Sequence, residues 1–181
     1  MGFAIAEAAA KAGHEVVLIA GPVALKTPKN ITRVDVTSAR EMLAAVKAAL
    51  PADFFISTAA VADWRPAICS STKLKKGAMF NVLELKRNPD ILREIAKLKS
   101  GCRLIGFAAE TGDPVAEATR KCREKGLEFI VANDVSEAGS GFGSATNRVT
   151  LIRKDGSSKA FPLMSKRLVA KHIISELAPT P

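Results

Sequence analysis

Short runs of β-branched and aromatic residues alternate along this chain with longer stretches of helical period. The run 15–20 (EVVLIA) is continuous and apolar and stops at Gly21, which indicates a buried strand. In 38–50 apolar residues recur at every fourth position, and Ser38 and Glu41 can form a capping box. The same criteria predict strands at 15–20, 32–36, 53–57, 81–85, 103–107 and 127–132, helices at 2–12, 38–50, 89–97, 114–125 and 165–177, and a hairpin at 149–162.

Apolar strands separated by helices of about a dozen residues predict a mostly parallel sheet covered on both faces. The expected fold is α/β, a single domain over 1–181 with a Rossmann-like doubly wound sheet, a C-terminal β-hairpin and a closing helix. In such sheets ligands bind beyond the carboxyl ends of the strands. The chain opens on a helix, so we expect the first strand and its phosphate-binding turn to lie upstream of Met1.

Composition restricts the classes of partner. The 181 residues are 48% hydrophobic and 25% charged, as in a folded globular protein, and the net charge of +9 favours anionic ligands. The chain has no Tyr and one Trp, so small phosphorylated ligands fit at least as well as nucleic acid. The three Cys match no metal spacing and indicate free thiols, and no run is long enough to span a membrane. We therefore expect a cytoplasmic protein with no membrane partner.

Two segments after the third strand could carry chemistry. Small residues in 57–62 would let a ligand reach the backbone, and Asp63 could accept hydrogen bonds from ribose or help hold a metal. A tight turn with a solvated carboxylate is an equally good interpretation. The segment 73–77 (KLKKG) could be a flap whose lysines close over a triphosphate, although a plain solvated charge run is the commoner meaning of this pattern.

Three later signals have similar alternatives. Asn88-Pro89-Asp90 predicts a helix start, with Asn88 as N-cap, and helix starts attract anions, although Asp90 would compete with one. Phe107, at a strand end, could belong to the core or stack on a base. Lys121 and Lys125 share one helix face, where they could bind phosphate or form an exposed ladder with nearby Glu.

Together and in this order, these stretches resemble phosphopantothenate–cysteine ligase, the synthetase domain of the bifunctional bacterial coenzyme A biosynthesis flavoprotein. The resemblance covers essentially the whole chain. The matching segments are 1–7 (MGFAIAE), 21–23 (GPV), 59–63 (AAVAD), 73–76 (KLKK), 86–91 (KRNPDI), 106–111 (GFAAET) and 132–135 (ANDV).

The resemblance implies a ligase that joins 4′-phosphopantothenate to L-cysteine. The pantothenate carboxylate attacks CTP to give an acyl-cytidylate and pyrophosphate, and the cysteine amine then forms the amide and releases CMP. It implies Mg²⁺ with the CTP, whose protein ligands stay unassigned, and no FMN in this chain. It also implies a homodimer and possible association with a flavin-dependent phosphopantothenoylcysteine decarboxylase, with no nucleic acid partner.

Residue roles follow from the same resemblance. Lys73 is the expected catalytic residue, and Ala60, Lys75 and Lys76 are the expected substrate contacts. The expected nucleotide contacts are Ser57, Thr58, Ala59, Asp63, Lys73, Asn88, Pro89, Asp90, Ile91, Leu92, Phe107, Lys121 and Lys125.

The sequence departs from the family at its start. The family motif Asn-x-Ser-Ser-Gly-x-Met-Gly is represented only by Met1-Gly2. We therefore expect the 181-residue chain to bind CTP poorly, and a version extended upstream by about 25 residues, enough for a strand and turn, to be more active and stable. The use of CTP rests on resemblance to bacterial enzymes, since eukaryotic relatives use ATP.

Two other functions remain open from sequence. An NAD(P)-binding oxidoreductase could use a similar sheet, but it would need a glycine fingerprint on its first turn, which this chain does not contain. A basic nucleic-acid-binding module would account for the net charge and would bind with a steep salt dependence.

Overall fold

The structure is a computed structural model that describes residues 1–73, 82–110, 114–134, 139–140 and 143–177. Its helices are α1 (Gly2–Lys11), α2 (Ala39–Ala48), α3 (Ile91–Lys97), α4 (Pro114–Glu124) and α5 (Lys166–Ser175). Its strands are β1 (Val17–Ala20), β2 (Thr32–Asp35), β3 (Phe54–Ser57), β4 (Trp64–Pro66), β5 (Leu85–Arg87), β6 (Arg103–Glu110), β7 (Phe129–Asp134), β8 (Thr146–Arg153) and β9 (Ser158–Ser165).

The central sheet has the strand order β3-β6-β7-β8-β9. The first three strands are parallel, and β8 and β9 form the antiparallel hairpin that the sequence predicted. A separate parallel pair, β1 and β2, and an antiparallel ribbon, β4 and β5, complete the described strands. The Rossmann-like α/β class is confirmed.

Helices cover both faces of the sheet, which explains the nearly continuous apolar runs of β6 and β7. One face packs under α1 and α5, where the buried residues include Ile5, Ile105, Phe129, Val169 and Ile173. The other face packs under α2, α3 and α4, where the buried residues include Val46, Ile95, Leu104, Cys122 and Ile130. Ala59 and Ala60, which follow the carboxyl end of β3, are exposed.

Local signals fixed the start of α2 as predicted. The Ser38 hydroxyl accepts from the Glu41 amide at 3.2 Å, and the Glu41 carboxylate accepts from the Ser38 amide at 3.3 Å. This reciprocal capping box satisfies two donors that the first turn of a helix leaves without partners.

Two local predictions were wrong. The N-cap of α3 is Asp90, whose carboxylate accepts from the Arg93 amide at 3.1 Å, and not Asn88. Asn88 instead donates a hydrogen bond to the loop after β3. Because a residue that precedes a proline disfavours the helical conformation, the helix begins only after Pro89. The strand expected at 81–85 is β5, shifted to Leu85–Arg87, with residues 82–84 outside any strand and position 81 outside the described residues.

No helix in the described ranges is both long enough and apolar enough to cross a membrane.

Candidate functional site

The loop after β3 lies against the start of α1. Ser57 ends β3 in register with Gly106 of β6, and Thr58 follows it. A Cβ on Gly2 would lie 2.7 Å from the Thr58 hydroxyl oxygen, closer than real Cβ contacts allow. A larger residue at position 2 would push the Thr58 hydroxyl aside, so glycine accommodates the close approach of α1 to this loop at the carboxyl edge of the sheet.

Asn88 fastens this loop to the chain before α3. Its backbone amide donates to the Asp63 carbonyl at 2.7 Å, and its side-chain amide donates to the Ala62 carbonyl at 2.8 Å. The Asn88 side-chain oxygen accepts from the Arg65 guanidinium at 3.0 Å. Two of the predicted site segments, 57–63 and 88–92, are therefore joined directly.

Arg65 is a positioning residue that the sequence analysis missed. It is half-buried, and its guanidinium donates both to Asn88 and to the Arg87 carbonyl. It thus ties β4 to β5, while Arg87 stacks over the Trp64 ring at 4.8 Å. No periodicity marks Arg65, because its partners lie more than twenty residues away in the chain.

The start of α3 carries a cation as well as a cap. Lys125, just beyond α4, places its ammonium nitrogen 2.8 Å from the second oxygen of Asp90. Partial burial, the largest influence, raises the pKa of Asp90, but hydrogen bonds from Lys125 and the Arg93 amide outweigh it and hold the pKa below its ordinary value. The carboxylate stays ionised at neutral pH, so it does compete with an incoming anion.

Lys121 lies in a ladder of charged side chains on α4, the alternative to phosphate binding that the sequence analysis gave. Its ammonium is 3.4 Å from Glu117, and Arg120 approaches the same carboxylate at 2.6 Å. The hydrogen bond from Arg120 is the main reason that the pKa of Glu117 falls to about 2. Lys121 thus pairs with Glu117 within α4, whereas Lys125 reaches across to Asp90 at the start of α3.

The apolar members of the predicted site lie deeper. The Ile91 side chain is only 6% exposed and belongs to the core, so a ligand could contact only the backbone of this residue. Leu92 packs over Gly106, where an added Cβ would lie 3.5 Å from a Leu92 methyl and 2.8 Å from a Leu127 methyl. Phe107 is half-buried against the core under α1 and α5, and its stacking on a base stays a prediction.

The other predicted residues are open to solvent or undescribed. Ala59, Ala60 and Asp63 are exposed in the loop after β3. Lys73 is exposed at the last position before residues 74–81, and Lys75 and Lys76 lie outside the described residues.

Within the described ranges, no three His, Cys, Asp or Glu side chains cluster in a way that could hold a metal ion. Cys69, Cys102 and Cys122 are free thiols, as predicted, and burial raises the pKa of the Cys122 thiol above its usual value.

These features define a class: a doubly wound α/β domain in which the loop after β3, the start of α1 and the segment leading into α3 lie together at the carboxyl edge of the sheet, the edge where such folds bind ligands. Residues 1–180 match the family described as the DNA/pantothenate metabolism flavoprotein C-terminal domain, and the chain belongs to that family. The resemblance inferred from the motifs is confirmed.

Among the relatives, the coenzyme A biosynthesis bifunctional protein CoaBC of Bacillus subtilis is 46% identical over 180 residues, covering 98% of this chain and 44% of that protein. The chain therefore spans less than half the length of this curated relative. A crystal structure of the C-terminal domain of CoaBC superposes with a TM-score of 0.80 at 43% identity, covering 97% of this chain and 81% of that one. A Cab2 mutant in complex with phosphopantothenate-cysteine, 16% identical with a TM-score of 0.58 over 82% of this chain and 52% of that chain, shares the fold.

Proposed function

We propose that this chain is the ligase domain that joins 4′-phosphopantothenate to L-cysteine in coenzyme A biosynthesis, in the cytoplasm, with CTP as the activating nucleotide. One observation carries the proposal. The segments that match the ligase motifs, 59–63, 86–91 and 106–111, come from separate parts of the chain, and their described residues meet at one edge of the sheet.

The chemistry fits that edge. Attack of the pantothenate carboxylate on the α-phosphate of CTP forms an acyl–phosphate bond and expels pyrophosphate, so negative charge grows on the phosphate oxygens. Fixed donors and cations stabilise such charge. In this proposal the amides of 57–59 and of the α3 start hold the nucleotide, Lys125 lies beside its phosphates, and Lys73 closes over it. The cysteine amine then attacks the acyl carbon and releases CMP.

Magnesium would arrive with the triphosphate. Mg²⁺ keeps several waters and is commonly held by substrate phosphates with only one or two carboxylates. The exposed carboxylate of Asp63, in the loop after β3, is the residue that we expect to face it. This arrangement needs no pre-formed cluster of ligands.

The homodimer is also part of the proposal, and the β4–β5 ribbon supports it. A two-stranded ribbon is marginally stable alone. Large apolar side chains on and beside this ribbon are exposed, namely Trp64, Ile68, Val82, Leu83 and Leu85, with Ile68 81% exposed. A second subunit that covered them would stabilise the ribbon. Sedimentation of wild type and Ile68→Ser should then show a weaker dimer for the variant.

The test is a two-step assay on two lengths of protein, the 181-residue chain and a chain with the full family motif joined to Met1. With CTP, Mg²⁺ and 4′-phosphopantothenate the longer chain should release pyrophosphate, and adding cysteine should yield CMP and the amide. ATP should support less turnover than CTP. The proposal fails if the longer chain forms no amide with either nucleotide.

Two competitors make the assay discriminating. Calorimetric titrations with NADPH and with single-stranded DNA address the oxidoreductase and nucleic-acid alternatives. If NADPH or single-stranded DNA binds more tightly than CTP, and CTP displaces it from the same site, that result would favour the corresponding alternative function over the ligase.

A further inference from the structure

The loop after β1, residues 21–31, is held by one side chain from the next strand. Arg33 of β2 is half-buried, and its guanidinium donates to the Leu25 carbonyl at 2.7 Å and to the Val23 carbonyl at 3.4 Å. The Nε of Arg33 donates to the Asp35 carboxylate at 2.7 Å. Because a guanidinium presents several donors in one rigid plane, this single side chain fixes the loop at two backbone points.

The same guanidinium connects this loop with the start of α1. The Arg33 Cζ lies 5.4 Å from the centroid of the Phe3 ring, within the range of a cation–π interaction. Phe3 follows Gly2, the residue that approaches Thr58 in the loop after β3. The first turn of α1 therefore contacts the loop after β3 directly and the loop after β1 through Arg33.

The loop after β1 exposes apolar and basic side chains together. Val23 and Leu25 are exposed, and so are Lys26 and Lys29 beside them. Isolated exposed apolar residues are common on proteins. Here, however, Arg33 holds the backbone of both apolar residues at the carboxyl edge of the sheet, where doubly wound folds bind ligands. This combination suits a ligand that carries a branched apolar group beside a phosphate.

The location of the loop favours the acid substrate over the nucleotide. Strand β3 pairs with β6 along one edge, and residues of β1 and β3 line one shared cavity, so β1 lies beyond the other edge of β3. The proposed nucleotide contacts at the α3 start and at Lys125 belong to helices that pack on β6 and β7. Cytosine is planar and polar, whereas 4′-phosphopantothenate carries two methyl groups on the carbon next to its phosphorylated CH₂.

We propose that Arg33 is a positioning residue for the acid substrate. It holds loop 21–31 so that the two exposed apolar side chains pack on the dimethyl group of 4′-phosphopantothenate and the two lysines lie near its phosphate. The inference rests on the proposed ligase function and names the segment that selects the acid substrate of that same site. The alternative is a loop that merely connects β1 to β2 and whose lysines are solvated.

Limited trypsin digestion tests this arrangement without any activity measurement. Arg33→Met keeps an unbranched side chain but removes the donors, so cleavage after Lys26 should be about fivefold faster than in the unchanged protein. The control Arg40→Met, which changes an exposed arginine on α2, should not alter that rate. In the unchanged protein, 4′-phosphopantothenate should slow cleavage after Lys26, and CTP with Mg²⁺ should not.

Steady-state kinetics separate positioning from a purely structural role. Arg33→Met should raise the KM for 4′-phosphopantothenate about tenfold, with little change in kcat or in the KM for CTP, because misplacing a binding loop weakens the ligand that it contacts. Arg33→Lys keeps the charge without the planar fork and should give an intermediate KM. Val23→Ser combined with Leu25→Ser should raise the same KM while cleavage after Lys26 is unchanged, since Arg33 binds backbone carbonyls.

Three results would overturn the inference: an unchanged KM for 4′-phosphopantothenate in Arg33→Met, an equal rise in both KM values, or protection of the bond after Lys26 by CTP and not by 4′-phosphopantothenate. The last result would assign the loop to the nucleotide. The kinetics use whichever of the two chain lengths gives turnover in the two-step assay. If neither length makes amide, the ligase proposal fails, and protection of the bond after Lys26 still decides whether this loop binds the acid.

Discussion

The Asp90–Lys125 pair sets the charge at the start of α3, and changing one partner at a time should move nucleotide affinity in opposite directions. The two groups are 2.8 Å apart and their side chains are 42% and 30% exposed, so solvent screens them partly. Replacing Lys125 with Ala leaves Asp90 facing the phosphates, whereas Asp90→Asn leaves Lys125 alone. Asn caps a helix as well as Asp does, so α3 should persist in the second variant.

The magnitude follows from the exposure. A unit charge about 4 Å from a phosphate contributes about 1 kcal/mol at the dielectric of water and about 4 kcal/mol near an effective value of 20. For groups this exposed we take the lower figure, which corresponds to about fivefold in affinity. Lys125→Ala should therefore bind CTP about fivefold more weakly, Asp90→Asn about fivefold more tightly, and the double variant about as wild type.

Calorimetry with CTP and Mg²⁺ measures these affinities, in parallel with thermal unfolding to check that each variant folds. Both shifts should shrink when salt rises from roughly 0.1 to 1 M, because the screening length falls from about 10 to about 3 Å. If Asp90→Asn binds CTP more weakly while Lys125→Ala is unchanged, the carboxylate contacts the ligand itself and the electrostatic argument is wrong.

Three further predictions concern stability, chemistry and packing. The pKa of Asp90 is lowered in the folded state, so its ionised form stabilises the fold above the ordinary pKa of an aspartate, and this stabilisation is lost as pH falls through the lowered folded pKa. Asp90→Asn should therefore flatten the acid part of a plot of unfolding midpoint against pH. Lys73→Gln should slow pyrophosphate release roughly a hundredfold. The matched control Lys154→Gln, an exposed lysine in the β8–β9 turn at the opposite edge of the sheet, should leave the rate unchanged. Equal rates of pyrophosphate release in the two variants would mean that Lys73 lies in a solvated charge run. Gly106→Ala should destabilise the fold by about 1–3 kcal/mol in urea, because its methyl would crowd Leu127; an unchanged midpoint would mean that the core relaxes freely.

The sequence by itself determined the elements that depend on near neighbours in the chain. The capping box of Ser38 and Glu41 and the apolar stripe of α2 involve residues three or four positions apart, so their chemistry can be seen without a fold. The alternation of apolar strands and helices likewise predicted the sheet class, which the structure confirms. The motif resemblance was confirmed because it also depends only on the order of residues.

Tertiary structure decided the pairings that bring distant residues together. The local sequence allowed Asn88 to cap α3. In the structure Asn88 is hydrogen-bonded to Ala62 and Asp63 instead, and Asp90 is the cap. Strand β5 was predicted too early, at 81–85, and β4 was not predicted, because an exposed strand has no buried face to fix its position. Arg65 and the Lys125–Asp90 contact depend on how the ribbon and the helices pack, and no pattern within either segment encodes that packing.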